Sequence, residues 1–243
     1  MTTTPTATDR DMTPLADNPA LRPDDLPPEL ARALPGKFVV FEGPDGSGKS
    51  TQLARFVRAC QHAGVPPVEV REPGGTEVGE RIRRALLDHL DREEMALRCE
   101  MLLYMASRAQ LVEQTIRPAL ARNQFVLADR FVSSTLAYQG AGGGLPEDQI
   151  LDAARIATGN LEPHAVVIFD VDERTAAQRL NPLLRGDNLD RMESKGAEFQ
   201  RRVRQGYLDQ IARWPDTHLC VDGSQDEDAV FSDLIATLVG ALA

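Results

Sequence analysis

The segment Gly43-Pro44-Asp45-Gly46-Ser47-Gly48-Lys49-Ser50 constrains this chain more than any other. It has the form G-x-x-x-x-G-K-S, follows the apolar run Phe38-Val39-Val40-Phe41, and opens a helical pattern that extends to about Ala63. Glycines in such a loop let successive backbone N–H groups converge on phosphate oxygens at a helix amino terminus. Lys49 then supplies a mobile cation near the β and γ phosphates, and Ser50 a hydroxyl that can ligate Mg²⁺. A chance glycine turn rarely has a strand before it and a helix after it. Gly43, Pro44, Asp45, Gly46, Ser47, Gly48, Lys49, Ser50 and Thr51 are therefore read as the nucleotide-phosphate segment.

The remainder of the chain repeats the strand-then-helix rhythm. Short apolar runs recur at 68–70, 125–128, 165–169 and 219–221, separated by helical patterns near 78–88, 95–121, 147–158, 173–181, 196–213 and 226–241. With the P-loop at its start, alternation of this kind predicts a three-layer α/β fold, with five parallel strands and helices on both faces. Ligands in such sheets lie outside the carboxyl ends of the strands. The length, 243 residues, suits one domain, expected over 36–243. Residues 1–35 are rich in Pro, Thr, Asp and Ala and lack a sustained apolar period, so they read as a flexible extension. The alternative is an arm that docks, with Leu26-Pro27-Pro28-Glu29-Leu30 as its anchor.

Composition narrows the function. The formal net charge is −10, which repels polyanions and counts against a nucleic-acid-coating surface, so an anionic ligand needs a local positive site. Cys60, Cys99 and Cys220 are far apart and odd in number, which suggests neither a disulfide framework nor a zinc site. His62, His89, His164 and His218 show no paired ligand spacing. No run approaches the roughly 18 apolar residues of a membrane span, and no basic-then-apolar leader opens the chain. A cytoplasmic setting without membrane attachment is the expectation.

Three further constellations point to phosphate chemistry. Asp129-Arg130-Phe131 follows the apolar run Phe125-Val126-Leu127-Ala128, which puts a carboxylate and a guanidinium at a strand end on the rim of the glycine loop. Such a pair suits phosphoryl transfer; the plain alternative is a helix cap and a solvated arginine. The helix near 95–121 carries an apolar stripe at Leu97, Met101, Tyr104, Met105, Val112 and Ile116, and Arg108 lies on that stripe. A buried arginine needs partners. It could hydrogen-bond a base on which Tyr104 stacks, one helical turn away, or it could belong to an internal ion pair. Finally, 180–196 breaks periodicity at Asn181-Pro182 and Gly186 while bringing Arg179, Arg185, Arg191 and Lys195 together, which reads as a mobile basic lid or, failing that, a solvated loop.

Taken in order, these elements closely resemble thymidylate kinases. The resemblance runs from Lys37 to the carboxyl terminus and rests on the glycine loop, on Arg71-Glu72-Pro73-Gly74-Gly75-Thr76, on Asp129-Arg130-Phe131 and on Ser134-Thr135-Leu136-Ala137-Tyr138-Gln139-Gly140. It implies phosphoryl transfer from ATP, with Mg²⁺, to dTMP, and a homodimer joined through helices. It further implies that Arg71 and Arg130 hold the acceptor phosphate, that Tyr104 stacks on thymine, and that Arg108 bonds the carbonyl edge of the base. Thr135 would approach the base, with Pro73 and Gln139 in the same substrate-binding set. Tyr138 would crowd the sugar where a ribose carries its 2′-hydroxyl. Asp45 would sit near the deoxyribose and the metal, whose protein ligands would be Ser50 and Asp129.

The resemblance makes Lys49, Arg130, Asp129 and one lid arginine the catalytic set. In one branch of the family an arginine follows the loop acid; Gly46 stands there in this chain, which assigns the catalytic arginine to the lid. Arg185 is the first choice, with Arg179 and Arg191 open, since Asn181, Pro182, Leu183 and Leu184 take positions that are often basic. The rival functions are a kinase for another nucleoside monophosphate and a non-catalytic nucleotide switch. The missing N-K-x-D guanine-reading motif counts against the switch.

Overall fold

The computed structural model describes residues 25–88, 94–180 and 196–243. In chain order the elements are α1 (Pro28–Ala33), β1 (Phe38–Glu42), α2 (Lys49–His62), β2 (Val68–Arg71), α3 (Glu77–Leu87) and α4 (Leu97–Leu111). A π-helical turn (Val112–Ile116) leads from α4 into α5 (Arg117–Ala121). Then come β3 (Val126–Asp129), α6 (Val132–Thr135), a second π-helical turn (Leu136–Gly142), α7 (Glu147–Thr158), β4 (Ala165–Asp170) and α8 (Glu173–Arg179). The chain closes with α9 (Ala197–Arg213), β5 (His218–Asp222) and α10 (Glu227–Leu242).

The five strands form one parallel sheet in the order β2-β3-β1-β4-β5, as the strand-helix alternation predicts. Alternation along β1 shows why both faces need cover. Phe38 and Val40 enter one core with Val70, Leu111, Val126 and Tyr207, whereas Val39 and Phe41 enter the other with Phe56, Val167, Phe231 and Leu234. Register sets the rim: Asp129 of β3 lies opposite Phe41 of β1 and Arg71 of β2. The glycine loop, the Arg71 segment and Asp129-Arg130 therefore leave the sheet at one end.

One expectation is corrected here. Residues 26–34 do not belong to a flexible extension: Leu26, Leu30 and Leu34 are buried in the core that contains Phe56 and Leu238, and α1 packs on α10. Leu30 and Leu34, four apart, share one face of α1 and its cap, and Leu26 enters the same core from the extended residues before it, a signal too short to register in a Pro-rich stretch. The docking-arm alternative thus describes 26–34, and residues 1–24 lie outside the described residues. So does 181–195, which holds most of the expected lid with Arg185, Arg191 and Lys195.

Candidate active site

The glycine loop is pressed between β4 and α8. Gly43 has φ +147°, and a Cβ there would lie 2.6 Å from the Phe169 carbonyl oxygen. Gly46 has φ +80°, and a Cβ would lie 2.7 Å from the Ala176 carbonyl oxygen. Backbone occupies the space that a side chain at 46 would need, so this chain has no room for an arginine after the loop acid. Lys49, nearly buried at the start of α2, forms an ion pair with Asp129. Burial, and then the nearby Arg130, push the Lys49 pKa below the usual lysine value against the pull of Asp129. Burial pushes the Asp129 carboxyl up, but Lys49 and Arg130 outweigh it and hold the carboxyl below its ordinary range.

Two clefts open on either side of this loop. The first, a cavity of about 260 Å³, is walled by Asp45, Lys49, Ser50, Pro73, Tyr104, Arg108, Asp129, Arg130, Thr135, Tyr138 and Gln139 among others. The second, of about 300 Å³, is bounded by Gly46, Ser47, Gly48, Thr51, Arg179 and Gly223, with Gln52, Gln225, Glu227 and Val230. Arg179 donates to the Gly223 carbonyl at 2.8 Å, which places this one of the three candidate lid arginines in the second cleft.

At the loop end of the first cavity, Arg130 Nη2 donates to Asp45 Oδ1 at 2.6 Å and lies 3.3 Å from the Tyr138 hydroxyl. Tyr138 donates in turn to Asp45 Oδ2 at 2.9 Å. Arg130 has φ +71°, a left-handed backbone that non-glycine residues seldom adopt. At the far end Arg108 is fully buried. Its Nε donates to Glu72 Oε2 at 2.8 Å, and its Nη2 to the Phe131 carbonyl at 2.9 Å and to Thr135 Oγ1 at 3.1 Å. The ion-pair alternative is thus realised, yet Arg108 also lines the cavity beside Tyr104, and among the described residues its Nη1 meets the Met105 sulfur, a weak acceptor, at 3.1 Å. A guanidinium has five N–H donors, so the ion pair does not exhaust it.

Gln139 brings a second polar group to this end of the cavity. Its Nε2 donates to the buried Glu100 carboxylate at 2.8 Å. A carboxylate only accepts, so the amide orientation is set and Oε1 remains an acceptor on a side chain that lines the cavity.

Of the expected site residues among those described, Gly43 and Pro44 line neither cleft although they belong to the glycine loop, and Arg71 stands apart from both. Its guanidinium is 56% exposed and lies 3.5 Å from Glu80, which is itself engaged by the Gly75 amide. In the first cavity Arg83 and Leu87 escaped the sequence reading altogether, while Glu72, Phe131 and Ser134 stood in its motifs without an assigned role. Arg83 donates to the Pro73 carbonyl at 2.9 Å and is the cation that the structure brings to the wall from the amphipathic helix α3. In sequence it is one of several arginines in Arg81-Ile82-Arg83-Arg84, and only the helix orientation singles it out.

Comparison with known proteins accords with this geometry. The thymidylate kinase family model matches residues 41–234. The chain is 42% identical to a thymidylate kinase of Symbiobacterium thermophilum over 81% of this chain and 90% of that protein. It is 44% identical to one of Pelotomaculum thermopropionicum, over 83% and 92%. The thymidylate kinase of Deinococcus radiodurans shares 42% identity over 84% and 96%. With the match covering the glycine loop, the lining of both clefts and most of the sheet, this chain belongs to the thymidylate kinase family.

Proposed function

We infer that the chain transfers the γ-phosphoryl group of ATP to dTMP, giving dTDP and ADP. The observation that carries this reading is the meeting of two clefts at one loop. A hollow over the glycine loop shares Asp45, Lys49, Ser50 and Arg130 with the first cavity, and Gly46, Ser47, Gly48 and Thr51 with the second. A donor in the second cleft and an acceptor in the first would face one another across Lys49. Because the acceptor phosphate is already an oxyanion, no strong general base is required and positioning with charge stabilisation carries the reaction.

In this reading the loop amides and Lys49 hold the donor phosphates, and Arg130 exchanges part of its contact with Asp45 for the acceptor phosphate. Tyr104 stacks on thymine, Nη1 of Arg108 donates to the O4 edge, and Gln139 Oε1 accepts a ring N–H. Cytosine would set an amino group against Arg108 and is disfavoured. Tyr138, anchored on Asp45, walls the sugar. Arg71, on the rim, and a lid arginine, Arg185 first, complete the charge when substrates are bound. Ser50, exposed at the start of α2, and Asp129, at the end of β3, are hard oxygen donors of the kind Mg²⁺ takes. They would hold the ion, whose chemistry is neutralisation of charge on the transferred phosphates.

A homodimer follows from the family resemblance and is checked by light scattering. No helix among the described residues is long and apolar enough to cross a membrane. The activity is tested by coupled ADP release over dTMP, dUMP, dCMP and dGMP. Preference for dTMP is expected; ATP turnover that ignores all four acceptors would instead support a nucleotide switch.

A further inference from the structure

Glu42 ends β1 immediately before the glycine loop and has no exposed surface. It does not line either cleft. A carboxylate buried this deeply is costly unless its lone pairs are satisfied, and here all four sites are used. Oε1 accepts from the Phe131 N–H at 2.7 Å and from the Ser134 N–H at 3.1 Å. Oε2 accepts from the Ser134 hydroxyl at 2.6 Å and from the Tyr207 hydroxyl at 3.0 Å.

Every one of these donors bears on Arg130. Phe131 is the next residue, and its amide fixes the direction in which the chain leaves the left-handed turn at Arg130. On the other side of that turn, the Arg130 N–H donates to the Phe41 carbonyl at 3.0 Å. The unusual φ of Arg130 is therefore held between β1 backbone and the β1 terminal carboxylate. The side chain is held by the same group at one remove. Arg130 Nη1 donates to Ser134 Oγ at 3.1 Å and lies 3.3 Å from the Tyr207 hydroxyl, and both oxygens are bonded to Glu42. Tyr207 comes from α9, so one carboxylate ties the loop strand, the Arg130 turn and α9 together.

We propose that Glu42 is the positioning residue for Arg130: it sets the strained turn and orients the partners that aim the guanidinium across the cavity. The proposal rests on the reading of Arg130 as the holder of the acceptor phosphate. A glutamine at 42 keeps the shape but turns an NH₂ group toward donors, so at least one of these bonds is lost and the turn can relax. Displacement of a charged clamp by about 1 Å is enough to weaken a phosphate contact severely.

The test compares a ligand that has the phosphate with one that lacks it. Binding of dTMP and of thymidine is measured by calorimetry or competitive inhibition for wild type, Glu42→Gln and Arg130→Gln, with melting temperatures alongside. The expected pattern is a rise of about tenfold or more in the Kd for dTMP in both variants, with thymidine changed less than about twofold. A variant Glu42→Gln that loses both ligands equally, or neither, while Arg130→Gln is selective for dTMP, overturns the positioning role and leaves the phosphate reading standing. Equal effects of Arg130→Gln on both ligands overturn that reading, and the proposal with it. If Glu42→Gln does not fold, Tyr207→Phe, which removes one of the four donors, serves in its place. A dTMP-selective loss of roughly threefold is then expected, and a loss shared with thymidine refutes the proposal.

Discussion

Arg108 and Glu72 are locked in a buried ion pair in which Nε and Nη2 of the arginine lie 2.8 and 2.7 Å from the same carboxylate oxygen. Both side chains are almost fully buried, 1% and 2% exposed. The other carboxylate oxygen, Glu72 Oε1, is buried and has no hydrogen-bond partner among the described residues. Removal of either partner leaves an uncompensated buried charge. Arg108→Ala is therefore expected to lower stability by about 3 to 5 kcal/mol. It should also raise the KM for dTMP about ten- to a hundredfold, from the loss of a charge-assisted hydrogen bond, with the KM for ATP little changed. Chemical denaturation and steady-state kinetics on the one variant separate these effects. A destabilised protein with unaltered KM for dTMP would leave Arg108 a purely structural residue.

Lys49 is paired with Asp129, but the aspartate side chain is 32% exposed and can be hydrated when its partner is removed. Lys49→Ala should thus change the melting temperature little. It should cost at least about 10² to 10³ in kcat, the scale of losing one preorganised charge at a transition state. Activity within threefold of wild type would refute the role.

Tyr138, 6% exposed, is bonded to Asp45 and is proposed to wall the sugar as well. These functions separate by substitution. Tyr138→Phe keeps the ring and should keep discrimination against the ribonucleotide acceptor, with a modest loss of kcat/KM. Tyr138→Ala should relax discrimination more than it weakens dTMP binding. Identical selectivity in the two variants, measured with dTMP and its ribonucleotide counterpart, would argue against a steric wall.

The amino-terminal segment yields a paired prediction. Deleting residues 1–24 should leave both melting temperature and turnover within error. Deleting 1–35 removes Leu26, Leu30 and Leu34 from the core formed with α2 and α10. That larger truncation should cost on the order of 3 kcal/mol, the burial of three leucines less the ordering of their backbone. Equal melting curves for the two truncations would show that α1 contributes nothing to stability.

His218 makes the stability pH-dependent. Its Nε2 lies 3.0 Å from Ser133 Oγ, and burial pushes its pKa down to about 4 from 6.5. The unfolded chain then binds this proton more readily, so stability is full above pH 6.5 and falls as pH drops toward 4. Glu72 acts with the opposite sign: burial, partly offset by Arg108, pushes its carboxyl above the ordinary range, so its contribution to stability falls as pH rises. The His218 contribution is read by difference. Relative to wild type, His218→Gln should gain roughly 1 to 2 kcal/mol at pH 5 over its value at pH 7.5. A constant difference across that range would rule out the imidazole as the source.

Several elements of the fold and site were legible because their signals are local. A glycine loop between an apolar strand and a helix, and an alternation of short apolar runs with periodic segments, specify a parallel sheet through backbone sterics and side-chain period alone. Lys49, Asp129 and Arg130 could be placed on one rim because a strand end and a topological rule locate them without any long-range contact, whereas Tyr138 was placed by the family resemblance alone. Arg108 was legible as anomalous, an arginine on an apolar stripe, though not in its partnership.

What tertiary structure decided was the pairing of groups distant in the chain. That Glu72 is the partner of Arg108, that Glu42 satisfies donors from Phe131, Ser134 and Tyr207, and that Arg83 reaches the cavity while Arg71 turns to Glu80 depend on register, helix rotation and loop direction. The docking of α1 was hidden for a related reason: three leucines in a Pro-rich stretch have no stable local conformation, and only the groove between α2 and α10 gives them one. Local sequence specifies local conformation and the type of charge, whereas the partner of a buried charge is chosen by whichever segments the packed core brings within about 3 Å of it.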